Sequence, residues 1–212
     1  MRKLFLLRGA PGSGKSSFIA RHHLNPYAIS RDQIRLLLAD LTVYYQEDAD
    51  VLHQVIPRHV TVRTEQMVDH LVEHKMEYGE TVIVDGTHIV PSAIEHFKPW
   101  VDKYHYECFV VDLMQHTTLE SLLKHNQTRM HYDWVKPEVV KQMYRSYEAH
   151  PEVPYWAHKV VPNQMDHALS QRETNLDRYA HVIAVPDMVD EEDFPHVHIC
   201  LLYTSDAADD MQ

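Results

Sequence analysis

Cysteine is almost absent from this sequence: Cys108 and Cys200 are the only two in 212 residues. They lie far apart and outside any Cys-x-x-Cys spacing, which argues against a disulfide framework or a zinc knuckle and fits a cytosolic compartment. Apolar runs long enough to cross a membrane are missing as well, so no membrane partner is expected. Met1-Arg2-Lys3 leads straight into a short strand-like run, without the apolar segment and small-residue site of a cleavable signal. Basic residues are outnumbered by acids, 20 to 31, for a formal charge of −11. That balance at first opposes a polyanionic partner. The excess is local, however: residues 187–212 hold eight acids and no Lys or Arg, which leaves −3 on the rest. A near-neutral remainder is compatible with an oligonucleotide gripped at one end.

Histidine, in contrast, is plentiful. The 18 residues are scattered, with no His-Glu-x-x-His or similar spacing, and read as solvated or core-edge side chains rather than metal ligands. The 44% hydrophobic and 24% charged composition is that of a globular chain able to bury a full core.

Along the chain, apolar runs and helical periods alternate. Residues 3–7 form a continuous apolar run of the kind found in a buried parallel strand. A glycine-rich loop follows, and residues 16–23 begin a helix. Residues 27–30 are a second strand, and 31–39 carry the Ile34, Leu37, Leu38 spacing of a helix that holds Asp32 in its first turn. From Pro57 a long helical pattern runs to Gly79. Residues 81–85 are the clearest strand, β-branched and ending in Asp85-Gly86-Thr87-His88. Pro91 opens a further helix, 106–113 is another strand, 118–125 a helix, 126–136 a polar stretch, and 137–149 a helix. This alternation predicts an α/β fold, a parallel sheet with helices on both faces and a helical lid. Residues 1–150 are read as the domain. Residues 151–198 are expected to be a proline-punctuated appendage or linker, or the start of a truncated second domain, with an apolar run at 181–185. A last strand is expected at 197–202. The tail 199–212 has neither period nor partner, resembles a translated sequencing adapter, and is expected to be non-native.

The loop Gly9-Ala10-Pro11-Gly12-Ser13-Gly14-Lys15-Ser16 matches Gly-x-x-x-x-Gly-Lys-Ser between a strand and a helix. In that spacing Gly9, Gly12 and Gly14 let backbone N–H groups of Ser13, Ser16 and Ser17 converge on phosphate oxygens. Lys15 is placed to reach the β- and γ-phosphates of ATP, and the Ser16 hydroxyl to ligate Mg²⁺. Asp85, at the end of a buried strand, is a second candidate for the magnesium shell. Asp32 and Arg35 stand one helical turn apart. They read equally well as an exposed ion pair or as a general base with an anion clamp. Lys124, His125, Arg129, His131 and Lys136 make a basic segment that is either a solvated loop or a lid carrying Arg129 to the transferring phosphoryl group.

These motifs resemble those of the 5′-polynucleotide kinases, the kinase domain of phage-type end-healing and nucleic-acid repair enzymes. The resemblance rests on the phosphate loop, Ser30-Arg31-Asp32-Gln33-Ile34-Arg35, Val82 to His88, Asn126-Gln127-Thr128-Arg129, and the helix from Pro137 to Tyr144, and covers residues 1 to about 150. It implies transfer of the γ-phosphoryl group of ATP to the 5′-hydroxyl of a DNA or RNA end. By the same resemblance Lys15 and Ser16 bind ATP–Mg²⁺, Asp32 is the general base, Arg35 contacts the acceptor's 3′-phosphate, and Arg129 is the lid arginine. Asp85 and Thr87 fall on the substrate-binding motif, where His88 replaces the family's usual Asn. Two rivals remain on the same scaffold: a small-molecule or antibiotic hydroxyl kinase, and a nucleotide-dependent binding module without an acceptor. The chain lacks the Asn-Lys-x-Asp motif of guanine-reading switches.

Overall fold

The computed structural model describes residues 2–46, 51–129 and 131–162. Residues 163–198 of the appendage, with the apolar run 181–185, the strand expected at 197–202 and the tail 199–212 lie outside the described residues.

Five parallel strands form the central sheet. β1 (Lys3–Arg8) lies in the middle, flanked by β5 (Val82–Asp85) and β6 (Glu107–Asp112), with β2 (Ala28–Ser30) and β7 (Ala157–Val160) at the edges. Every residue of β1 is buried, which is why its sequence is a continuous apolar run rather than an alternation. Its side chains divide between two cores. Leu4 and Leu6 pack with Val68, Val72 and Met76 of helix α3 (Thr61–Glu77) and with Ile94 and Phe97, while Phe5 and Leu7 pack with Phe18 and Ile19 of α1 (Lys15–Arg21). The sheet is therefore covered on both faces, as the strand–helix alternation predicts. Each large apolar side chain buried in this way contributes about 1.5–3 kcal/mol.

The remaining helices are α2 (Arg31–Leu38), α4 (Pro91–Glu95), α5 (Lys98–Tyr104), α6 (Leu119–Gln127) and α7 (Pro137–Ala149). The Ser30 hydroxyl caps α2 by accepting from Gln33 N–H. α3 ends at Gly79, whose φ of 72° and the bond from Glu80 N–H to Lys75 C=O close a left-handed helix stop. It begins at Thr61 rather than at Pro57: a strand ends at Val55, and a turn closed by Thr61 N–H donating to Arg58 C=O at 3.2 Å precedes the helix.

That strand belongs to an element the sequence pattern did not predict. Between α2 and α3 an antiparallel hairpin pairs β3 (Thr42–Gln46) with β4 (Val51–Val55). The second unpredicted element is β7, which pairs with β6 inside the segment read as an appendage, so the sheet draws its last strand from beyond residue 150.

A buried charged cluster fastens the end of α7 beneath the phosphate loop. Arg8, fully buried, donates to Ile89 C=O at 3.0 Å, to Pro151 C=O at 3.2 Å and to His150 C=O, with its guanidinium carbon 4.9 Å from the Tyr147 ring centroid. Asp112, equally buried, lies 3.7 Å from Arg8, accepts from the Tyr147 hydroxyl at 3.0 Å and meets Lys159 of β7 at 3.2 Å. Burial lowers the Arg8 pKa, opposed by the Asp112 carboxylate, and holds the Tyr147 hydroxyl up at about 12. The polar groups are almost all paired, as burial requires.

Candidate active site

A cleft of about 1300 Å³ opens at the carboxyl ends of β1, β2 and β5, the position where open parallel sheets bind ligands. Its floor is the phosphate loop. Gly12 (φ 86°) and Gly14 (φ 90°) both hold the left-handed conformation that glycine adopts without a Cβ penalty. They differ in surroundings. A Cβ on Gly12 would stand 2.6 Å from Leu122 C=O of α6, whereas one on Gly14 would project into open space. Gly9 and Ser13 shape the loop from behind, Gly9 N–H donating to Thr87 C=O at 2.9 Å and Ser13 N–H to Ala10 C=O at 3.1 Å. Ser16 and Ser17 line the cleft.

The Lys15 ammonium donates to Gly9 C=O at 2.8 Å and Ala10 C=O at 3.2 Å. Burial in the cleft floor lowers its pKa, with Asp85 and Asp32 opposing and Arg129 reinforcing the shift. Asp85 is displaced upward, first by burial and then by repulsion from Asp32, against the pull of Lys15, the Ser30 hydroxyl and Arg31. The two carboxylates and Lys15 therefore share one electrostatic neighbourhood. The loop fits a triphosphate: two left-handed glycines give it a concave backbone, the space in front of Gly14 is open, and a lysine stands in its floor. Ser16 and Asp85 both line the cleft, and two such oxygens would fit a Mg²⁺ ion that keeps its other positions for phosphate and water. Among the described residues no three His, Cys, Asp or Glu side chains cluster as a metal site.

Asp32 and Arg35 line the same cleft, and the ion pair between them is formed: Arg35 Nη1 donates to Asp32 Oδ1 at 2.7 Å. The carboxylate is 52% exposed and the guanidinium 13%, so the pair is anchored by the arginine and open at the acid. The ion pair is thus formed within the cleft. Thr87 also lines the cleft, and its carbonyl ties the end of β5 to the phosphate loop.

No local pattern in the sequence marks His88 and Arg31 as a unit. His88 is buried with φ 38°; its Nδ1 lies 2.8 Å from Leu7 C=O and its Nε2 3.2 Å from Arg31 Nη1. A carbonyl only accepts, so Nδ1 carries the hydrogen and Nε2 accepts from Arg31. Arg31 Nε meets both carboxylate oxygens of Glu65 at 3.0 Å. Gly86 makes room, since a Cβ there would lie 2.2 Å from Arg31 Nη1.

The segment read as a solvated basic loop or a lid lies between α6 and α7. Asn126, buried, holds it from both sides, donating to Val135 C=O at 2.6 Å and accepting from Val135 N–H at 3.2 Å. Arg129 lines the cleft and sits 4.0 Å from Asp133. Lys124 and His125 both lie in the last turn of α6, and His125 Nδ1 stands 3.1 Å from Gly12 C=O, joining α6 to the phosphate loop. Against that segment, with Tyr44 beside Trp134, the hairpin contributes Thr42, Tyr44 and Val55 to the cleft wall.

A family model described as an AAA domain matches residues 4–150. No curated protein matches the sequence. Among solved structures, a candidate kinase from Chloroflexus aurantiacus J-10-fl superposes with a TM-score of 0.57 at 13% identity, covering 81% of this chain and 98% of the other. A gluconokinase from Sinorhizobium meliloti 1021 gives a TM-score of 0.44 at 12% identity, covering 76% and 82%. A chain of a Pnkp1/Rnl/Hen1 complex gives 0.44 at 23% identity, covering 63% of this chain and 40% of that one. The fold is that of a P-loop kinase-like domain, and no described helix is long and apolar enough to cross a membrane.

Proposed function

The chain belongs to the AAA-domain family over residues 4–150, and from that premise we propose that it is an ATP-dependent kinase acting on the 5′-hydroxyl of a polynucleotide end. The observation that carries the reading is the Asp32–Arg35 pair, a carboxylate open to the same cleft that Lys15 floors. A binding module needs no acid facing its phosphate loop. A hydroxyl kinase does, to accept a proton.

In this reading Asp32 accepts the proton of the 5′-hydroxyl as that oxygen bonds to the γ-phosphorus. The bond from that phosphorus to the β–γ bridging oxygen breaks and ADP leaves. Arg35, held by Asp32, faces the acceptor's 3′-phosphate. Lys15 and Arg129 balance charge on the phosphoryl oxygens from the floor and the lid. Bound Mg²⁺ would neutralise the phosphates, with Ser16 and Asp85 holding it. Thr87 positions the acceptor beside Asp85. The cationic side chains around the acceptor end, Arg35, Arg58 and Lys136, favour an anionic acceptor over a neutral small molecule.

Purified protein given γ-labelled ATP and magnesium should label a 5′-hydroxyl oligonucleotide. Failure to label any DNA or RNA end, with transfer to a nucleoside or antibiotic in a parallel panel, would replace the polynucleotide by a small-molecule acceptor. ATP binding with no transfer at all would leave a binding module.

A further inference from the structure

We infer that the aromatic end of the cleft, formed by Tyr44 of the hairpin and Trp134 of the lid loop, receives the nucleobase of the acceptor's 5′-terminal nucleotide. The inference rests on the polynucleotide reading above and adds to it what the hairpin is for. Tyr44 and Trp134 come from elements far apart in sequence, yet their rings are nearly parallel, 22° between planes and 6.3 Å between centroids. Both line the cleft that holds Lys15 and Asp32, and neither belongs to any of the three apolar cores. Large aromatic rings set in the wall of a polar cleft, outside a core, are a stacking surface suited to a planar ligand.

Their neighbours narrow the ligand's chemistry. The Lys136 ammonium stands 3.8 Å from the Tyr44 ring centroid, and Arg35 and Arg58 line the same wall. A flat face beside cations suits a base joined to a phosphodiester, the pairing by which single-stranded nucleic acids are held. A compact polyol would use neither ring. Every base has a π-face, so the subsite discriminates between base and no base rather than among bases.

Two single-stranded 5′-hydroxyl oligonucleotides, identical except that one has an abasic terminal nucleotide, test this with the wild-type protein, Trp134→Ala and Trp134→Phe. The wild type is expected to show a KM for the abasic end on the order of tenfold higher than for the base-bearing end. Trp134→Ala should bring the base-bearing end to the abasic value, and Trp134→Phe should restore the difference. Equal KM values for the two ends with wild-type protein would overturn the inference while leaving the polynucleotide kinase reading intact, and that comparison needs no variant to fold. A rise in KM for ATP in Trp134→Ala, with the acceptor KM unmoved, would assign the rings to the donor's adenine and equally overturn it. Absence of transfer to either end would refute the polynucleotide reading itself, and the base subsite with it.

Discussion

Arg31 donates to His88 across 3.2 Å, and His88 in turn donates to Leu7 C=O at 2.8 Å, so a neutral imidazole joins α2 to the central strand. Burial, with Arg31 beside it, lowers the His88 pKa to about 3. An unfolded histidine takes up its proton near 6.5. Between those values the unfolded chain binds more protons, so this contribution is complete above about pH 6.5 and is lost as pH falls toward 3, by up to about 1.4 kcal/mol per pH unit. Urea unfolding at successive pH values should show wild-type stability falling over that window, and His88→Asn, which has nothing to protonate there, falling less steeply. Identical slopes would mean that His88 is not held neutral.

The two left-handed glycines of the phosphate loop should separate stability from binding. In Gly12→Ala the new Cβ meets Leu122 C=O at 2.6 Å, so the fold should lose about 1–3 kcal/mol from strain at that contact. In Gly14→Ala the Cβ meets no protein atom within 4 Å and enters the space where phosphate is expected. Thermal unfolding and ATP titration of both variants are the measurement. Gly12→Ala should lose the more stability, and Gly14→Ala should lose ATP affinity out of proportion to any change in stability. A reversed order would place the nucleotide elsewhere.

What the sequence made legible follows from how far apart the interacting residues lie. β1, the loop and α2 are each specified locally, by an apolar run, by glycines at fixed spacing, and by a Ser30 cap before an amphipathic helix. Asp32 and Arg35 are one turn apart, and their pairing could be anticipated. Arg31 and His88 are brought together only because β2 and β5 are neighbours in the sheet, with Ser30 in register with Asp85, which no local pattern states. The hairpin carries no local signature because its outer face is apolar too: Val43, Tyr45 and Leu52 are exposed, so no clean alternation marks the strands. β7 is four residues long, follows two prolines, and is recognisable only by its pairing with β6 and by the Lys159 contact with Asp112.

Asp32 should be separable from nucleotide binding. Its carboxylate is bound by Arg35 on one oxygen and is otherwise open to the cleft. Asp32→Asn keeps the shape and a hydrogen-bonding oxygen but cannot accept the acceptor's proton. Transfer should fall by about 10²–10⁴-fold, with ATP affinity, read by calorimetry, little changed. Arg35→Ala should instead raise the acceptor KM. Transfer by Asp32→Asn at the wild-type rate would remove Asp32 as the base.

Asn126 offers a way to move the lid without touching the reaction centre. Its amide spans Val135 on both backbone groups, and the segment it closes carries Arg129. Asn126→Ala leaves a buried N–H and C=O unpaired, a cost of about 1–3 kcal/mol, and frees the loop to place Arg129 less accurately. Loss of placement lowers kcat, since charge on the phosphoryl group must be met at one position. Steady-state kinetics at saturating ATP and acceptor should show kcat reduced on the order of tenfold or more. Arg129→Ala alone should lower kcat, and adding Asn126→Ala to it should lower kcat little further, because the two act through one guanidinium. Full additivity of the two losses would show that Asn126 acts on the reaction by a route other than Arg129.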